Sequence, residues 1–237
     1  MNPEIEIIEV PGTEALLRLF ELQEAQPESG KYPFLIGDAA SLRMLREAAE
    51  FNDDPPAEIV EKALKIRVRS LFEKLKKSAL PYEIEAERYF ANLEGEWEEK
   101  VSMRDIGFHW NDLVRAHRDV LTRKFFKKCH LGLAPTTDSW RLPALVRYGG
   151  WNDCPKPAEH CAIHRYWQEK YGAEIVSLTG DVIECRVANP PPTEEDSRRL
   201  AWEQFAYCSD IVTQGAGTVG ALASSLRDSP YWYFWWD

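Results

Sequence analysis

Apolar residues recur at helical spacing through most of the chain and alternate at strand spacing in a few short runs. Ile5 to Val10 alternates apolar with acidic residues, the pattern of a short strand, and Pro11-Gly12 breaks it. Thr13 is placed to cap a helix running to about Ala25, with Leu16, Leu19, Phe20 and Leu22 near one face. Tyr32 to Ile36 is a compact apolar run bounded by Gly37-Asp38, which predicts a buried strand. Asp38 then caps a helix whose inner stripe is Leu42, Leu45, Ala48 and Ala49. An anion at that helix N-terminus is disfavoured, because Asp38 competes with it and the turn lacks the glycines of a phosphate loop.

Asp54 and Pro55 read as the cap and first residue of the next helix. From Ala57 to about Ala79 the period is helical, with Val60, Leu64, Val68, Leu71, Phe72 and Leu75 as the stripe and lysines facing water. The next stretch changes character. Glu83 to Glu99 is acidic, with Tyr89, Phe90, Leu93 and Trp97 at helical spacing. Asn111 to Lys128 is basic, with Leu113, Val114, Val120, Leu121, Phe125 and Phe126 as its apolar residues. Residues 82–132 therefore predict two or three helices and no strand, packed by their opposite charges.

Leu142 to Tyr148 is apolar and ends in Gly149-Gly150, which reads as a strand. Trp151 to Pro155 is a polar turn. Pro157 opens a helix that runs to Tyr171 and stops at Gly172, with Ile163, Tyr166, Trp167 and His160 on one side. Two alternating runs, 174–178 and 182–187, flank Thr179-Gly180-Asp181 as a hairpin. Ile183, Cys185 and Val187 share one of its faces, Glu184 and Arg186 the other. Thr193, with Asp196 three residues on, begins a helix that turns Leu200, Ala201, Phe205 and Cys208 inward, and Thr218 caps a last helix through Leu226. The aromatic run Tyr231 to Trp236 predicts a final strand buried on both faces.

Together these elements predict an α+β fold. A mixed or antiparallel sheet would hold strands near 32–36, 142–148, 174–179, 182–188 and 231–236, with helices packed on it. The organisation read from the pattern is an N-terminal αβ part of the core over 1–56, a helical insertion over 57–132 and a C-terminal α+β core over 133–237.

Composition narrows the picture. The formal net charge is −10, which disfavours nucleic acid as a partner of the whole surface; by itself it reads first as a solubility surface, and an acidic surface could also meet a basic protein partner. No apolar run is long enough for a membrane span, and the acidic start is not a secretory leader, so a cytoplasmic site is expected. Five widely spaced cysteines read as free thiols in a reducing compartment. Nine tryptophans are too many to expose, so most belong to a core.

Several segments carry a family likeness: GGWNDCPKPAEH, then W-x-x-x-YGAE, D-V-I-E, R-x-x-x-P-P, LAWEQFAYCSDIV-x-QG and the terminal YWYFWWD. From Arg147 to Asp237 the chain resembles the domain of unknown function 4253 family. The resemblance reaches more faintly to EVPGTEALLRLFELQ and GKYPFLIGD, and little of it covers the segment before Trp140. It implies a bacterial, cytosolic α+β domain and brings no activity or catalytic residues with it.

The sharpest chemistry is Cys154, His160, Cys161 and His164. His160 and His164 lie four apart on a helix, so both rings can leave one face, and Cys154 precedes that helix. Cys154, His160 and His164 are the candidate zinc ligands, although their spacing matches no standard finger; without them no cofactor is expected. The plainer reading makes His160 a hydrogen-bonded core residue, Cys154 a small buried hydrophobe and His164 a solvent-facing residue beside Arg165.

A thiol nucleophile is the second option. Cys154 stands at a helix N-terminus that would lower its pKa, His160 would be its base, and Asp153, Asn152 or Asp210 would orient that base. Trp151, Asn152, Asp153 and Asp210 form the candidate binding set. Asp153, Asp181, Glu203 and Asp210 offer carboxylates for a divalent ion, with Glu203 and Asp210 read first as capping or hydrogen-bonding groups. Asp237 is read as an ion-pair partner of Arg147 or Arg186. Two functions follow as expectations: a non-enzymatic protein-binding module, immunity- or antitoxin-like, or a metal- or thiol-dependent hydrolase centred on Cys154, His160 and His164.

Overall fold

The computed structural model describes residues 2, 4–82, 84–98, 100 and 109–236. In chain order the elements are β1 (Glu6–Val10), α1 (Ala15–Glu24), α2 (Gln26–Ser29), β2 (Tyr32–Gly37), α3 (Ala39–Ala48), α4 (Pro56–Lys65), α5 (Val68–Ser78), α6 (Ala86–Glu94), α7 (Trp110–Leu113), β3 (Cys129–Ala134), α8 (Leu142–Val146), α9 (Pro157–Tyr171), β4 (Ala173–Leu178), β5 (Val182–Val187), α10 (Glu194–Tyr207), α11 (Val219–Leu226) and β6 (Tyr231–Trp235). The fold is α+β. Among the described residues six strands form one mixed sheet in the order β1-β3-β2-β4-β5-β6, with β2 and β4 the parallel pair and every other neighbour antiparallel.

Side chains alternate across the strands, so the sheet has two apolar faces. On one, Tyr32, Phe34 and Ile36 of β2, Ile175 of β4, Ile183 and Cys185 of β5, and Trp232 and Phe234 of β6 meet α3, α9, α10 and α11 in the main core. On the other, Leu35, Val176, Cys129 and Leu131 meet Ala15 and Leu19 of α1 together with Val114. Each fully buried large side chain in such a core contributes about 1.5–3 kcal/mol by leaving water. Trp167, Trp232, Tyr148, Tyr207, Phe205 and Phe234 are among the largest of these, so the aromatic richness of the chain is spent in packing.

Many caps stand where the sequence puts them. Asp38 accepts the Ser41 amide at 2.8 Å, Thr193 the Asp196 amide at 3.2 Å and Thr218 the Ala221 amide at 3.1 Å. Helix α9 spans Pro157 to Tyr171 and ends at Gly172. The alternating run near the N-terminus is the edge strand β1, and the hairpin is β4–β5.

Elsewhere the structure corrects the pattern. The run 142–148 is not a strand: a 3-10 turn over Ser139–Arg141 leads into α8, which is all buried but for Leu145. A short apolar run does not by itself separate a buried strand from a buried helix, and Pro143 in the first turn favours the helix. The missing strand is β3, which begins inside 82–132 and crosses the boundary drawn at 132. Its Gly132 hid it by breaking the β pattern, yet a Cβ there would stand 2.4 Å from the Phe34 ring, so the close packing of the sheet's interior requires glycine.

Further differences are confined to single elements and their ends. Residues 57–79 are two helices broken at Ile66, so that α4 packs on α8 and α9 through Ile59 and Ala63 while α5 packs on α9 and α10. The residue that precedes α1 is Glu14 rather than Thr13, and that before α4 is Pro55 rather than Asp54; neither makes a side-chain capping bond. Between α10 and α11 the chain makes a π-helical turn over Ile211–Ala216. Strand β6 is an edge strand with alternating burial, Trp232 and Phe234 inward and Tyr231, Tyr233 and Trp235 half-covered, so it is not buried on both faces.

Of the basic stretch, only the residues that belong to α7 (Trp110–Leu113) are helical. Residues 114–128 form an arm that lies on the second face of the sheet. Arg118 bridges to Phe125, and the arm is fastened by hydrogen bonds from Phe126 N to His117 O at 3.2 Å and from Gly12 N to Phe126 O at 2.9 Å.

Candidate functional site

Helix α9 brings His160 and His164 to one side because they are four residues apart. That side faces the main core, where Tyr207 closes α10. The Tyr207 hydroxyl lies 2.7 Å from His160 Nδ1 and 2.8 Å from His164 Nε2. Beyond His160, Nε2 is 3.3 Å from Cys154 Sγ; beyond His164, Nδ1 is 3.9 Å from Cys185 Sγ on β5. Cys154, His160, Tyr207, His164 and Cys185 thus form one polar chain through the core. The two histidines, Tyr207 and Cys185 are at most 1% exposed, and Cys154 is 5% exposed.

Tyr207 has one proton to give and bridges two rings, so the chain must be ordered. In one sense Cys154 donates to His160 Nε2, His160 Nδ1–H to Tyr207, Tyr207 to His164 Nε2 and His164 Nδ1–H to Cys185. In the other sense every donor and acceptor is exchanged. Both senses satisfy each ring nitrogen with neutral groups.

Burial fixes the protonation. It holds His164 down at about 3 and His160 well below its ordinary value, with His164 adding to the effect on His160. It also pushes the thiols of Cys154 and Cys185 and the Tyr207 hydroxyl well above theirs. The expected lowering of the Cys154 pKa by the helix N-terminus is therefore reversed, because desolvation of a thiolate outweighs the helix dipole. The expectation of His164 in solvent is likewise corrected.

Gly149 makes the approach possible. Its φ is +98, and a Cβ there would stand 2.0 Å from Pro155 O and 2.7 Å from His160 Nε2. The turn it starts carries Trp151, which packs edge-on against Tyr148 with centroids 4.9 Å apart. Asn152 and Asp153 are exposed on the rim of a cleft of about 280 Å³ that also touches Cys154 and Tyr207. Lys74 and Glu159, paired at 2.9 Å, form its opposite side.

Of the sequence candidates, Cys154, His160 and His164 come together, and Asn152 and Asp153 stand over them. Asp210 does not join them; it accepts a hydrogen bond from Gln214 at 3.0 Å. Glu203 accepts from Tyr166 at 2.9 Å and from the Trp167 indole at 3.1 Å, the hydrogen-bonding role read for it. Cys161 lies apart, in the cluster between α4, α8 and α9. Arg147 donates to Asn52 O at 3.2 Å and Arg186 pairs with Glu174; their reading as partners of Asp237 lies outside the described residues.

For zinc, the donor set fits poorly. The ring nitrogens of His160 and His164 nearest each other both converge on Tyr207. Among the described residues no group of three or more His, Cys, Asp or Glu is placed to hold a metal ion.

The sequence reading missed Tyr207 and Cys185. Tyr207 sits in the helix predicted from Thr193, two residues after the inward Phe205, and its hydroxyl could be noticed only once α10 was laid against α9. It also missed Glu184 as a buried group. Glu184 is fully buried on β5 and accepts the Arg115 amide at 2.7 Å and the Ala116 amide at 3.2 Å, which fastens the arm to the sheet.

Among the described residues no helix is long and apolar enough to cross a membrane. Comparison with curated proteins and with solved structures finds no match. A family model does match, over the region that carries nearly all of β3, then β4 to β6 and the whole of the Cys154–Tyr207 cluster: residues 130–237, the C-terminal part of the chain, match the model of the family described as Domain of unknown function (DUF4253).

Proposed function

We propose that the chain is a non-enzymatic protein-binding module, in its most specific form a bacterial, cytoplasmic, immunity- or antitoxin-like partner that masks a basic protein. The observation that carries this reading is where the carboxylates lie. The chain has 39 acidic residues against 29 basic ones, and among the described residues Glu184 alone of the Asp and Glu is buried. The acidic excess is thus a property of the surface, where it steers and accelerates capture of a basic partner. Five free, buried thiols agree with a reducing compartment. The closed, neutral state of the Cys154–Tyr207 chain agrees with a structural role for it.

The test is co-purification from native cells with the tagged chain. A basic protein should be retained at low salt and released as salt screens the charges. Recovery of no protein at low salt would count against the reading.

One observation favours a second reading, thiol-dependent hydrolysis: Cys154 Sγ stands 3.3 Å from His160 Nε2 beside the cleft. In it, Sγ attacks a carbonyl carbon while His160 Nε2 takes the thiol proton and passes it to the leaving group; water then releases the acyl group and restores the thiol. Titration of the native protein with a thiol reagent separates the two readings. Fast labelling of Cys154 favours hydrolysis, whereas five thiols that react only after denaturation end it. Metal analysis of the purified protein does the same for zinc.

A further inference from the structure

We propose that the arm over residues 114–128 and the groove beneath it bind an acidic, apolar peptide segment of a partner protein. This goes beyond the basic-partner reading and stands on a different surface of opposite charge.

The arm reverses the charge of the chain: residues 115–128 hold six basic residues and one acidic one, in a chain whose net charge is −10. Among the described residues, Lys128 is the one of these six cations with an ion pair, to Glu9 at 2.8 Å. Apolar residues share the same tip. Leu121 is 93% exposed, Val120 55% and Phe125 50%.

The tip is built, not loose. Asp119 Oδ1 accepts the Thr122 amide at 2.6 Å and its hydroxyl at 2.7 Å, and Asp119 N donates to Lys124 O at 2.9 Å. Glu184 fastens the root of the arm from within the sheet. A preorganised protrusion loses little entropy on binding, which is how a small surface reaches useful affinity.

The arm also roofs a groove of about 180 Å³ at the carboxyl ends of the parallel strands β2 and β4, the place where open α/β sheets leave a binding crevice. Ser41 of α3 and Thr179 of the β4–β5 turn line one side, Val120 and Phe126 the arm side, and Tyr233 the edge. A second hollow of about 150 Å³ shares Arg115, Arg118 and Val120 with it and adds Arg123, along with Leu113 and the carboxylates Asp112 and Asp119. An apolar side chain in the groove would place a neighbouring carboxylate on Arg115 and Arg118, the pairing that guanidinium groups suit best. Carboxylates of the chain itself, Asp181 and Glu184, also line the groove; Glu184 is turned onto the arm's amides.

Charge selects this occupant over others. A membrane with anionic lipid, or a nucleic acid, would meet the basic tip but be repelled by the acidic remainder of the surface. A short acidic segment reaches the arm alone.

The test pans a random peptide library against the intact chain at low salt and measures the enriched peptides by fluorescence anisotropy. Peptides with Asp or Glu beside Leu, Ile or Phe are expected. They should weaken with salt and lose about tenfold in affinity in Leu121→Ser, with the thermal midpoint unchanged, and in Arg118→Ser, whose guanidinium also donates to Val114 O at 3.1 Å. Absence of enrichment, neutral or basic winners, or winners indifferent to both variants would overturn the proposal. So would cosedimentation with phosphatidylserine vesicles, or a dimer that Leu121→Ser dissolves, since each assigns the tip to a different occupant. Failure to recover a basic partner from cells leaves this result untouched, so the two readings fail separately.

Discussion

The Tyr207 hydroxyl stands 2.7 Å from His160 Nδ1, joining the last residue of α10 to the first turn of α9. Because the same oxygen also meets His164 at 2.8 Å, removing it strands two buried ring nitrogens at once. Tyr207→Phe keeps the packing and deletes the bridge. Each buried polar group left without a partner costs about 1–3 kcal/mol, so the variant should lose roughly 3 kcal/mol in urea unfolding. A loss below about 0.5 kcal/mol would mean that water replaces the bridge.

Acid should weaken the fold through the same histidines. In the unfolded chain they take up protons near 6.5, whereas in the folded chain His164 stays neutral down to about 3 and His160 is also held far below its ordinary value. Between these limits the unfolded state binds more protons, so stability falls as pH drops below 6.5. Glu184 works in the opposite sense: burial raises its pKa, so its contribution is present at low pH and is lost as pH rises through its folded value. It offsets part of the acid loss. The urea midpoint should therefore fall from pH 7 to pH 5, and His164→Gln should flatten that dependence. A wild-type midpoint that does not move over this range would contradict the neutral, closed chain.

Gly149→Ala should be among the most damaging single-methyl changes in the protein. The new Cβ would meet a backbone oxygen at 2.0 Å in a backbone conformation that alanine rarely adopts. We expect a loss of more than about 3 kcal/mol, measured by thermal unfolding. Gly217→Ala, with a φ of +81 but open space around it, should cost less.

Glu184→Gln tests how the arm is held. The variant keeps the shape but gives up one of the two charged acceptors for the Arg115 and Ala116 amides. A hydrogen bond to a charged group is worth about 1.5–3 kcal/mol. Amide exchange over residues 115–126 should therefore quicken about tenfold or more, while the global midpoint moves little because the cost of burying the charge disappears too. Unchanged exchange in the arm would show that the 119–124 turn and the Phe126 bonds suffice to hold it.

The sequence by itself determined every element whose signal is local. Caps at Asp38, Thr193 and Thr218, the Pro157–Gly172 helix and the β4–β5 hairpin follow from residues within one turn of each other. The pairing of His160 with His164 on one helix face, and their nearness to Cys154, is local in the same way. Tertiary structure alone decided the rest. Leu142 to Val146 is equally at home in a strand or a buried helix, and packing between α4 and α9 settles it. Strand β3 carries Gly132 because a ring from β2 fills its place, a contact with a residue nearly a hundred positions away. The state of Cys154, His160 and His164 was decided by Tyr207 and by the depth of the core, since desolvation depends on what surrounds a group and not on its neighbours in the chain. The basic arm shows the same division: its charge is plain in the sequence, while its shape, its exposed tip and its anchor at Glu184 exist only once the sheet has formed beneath it.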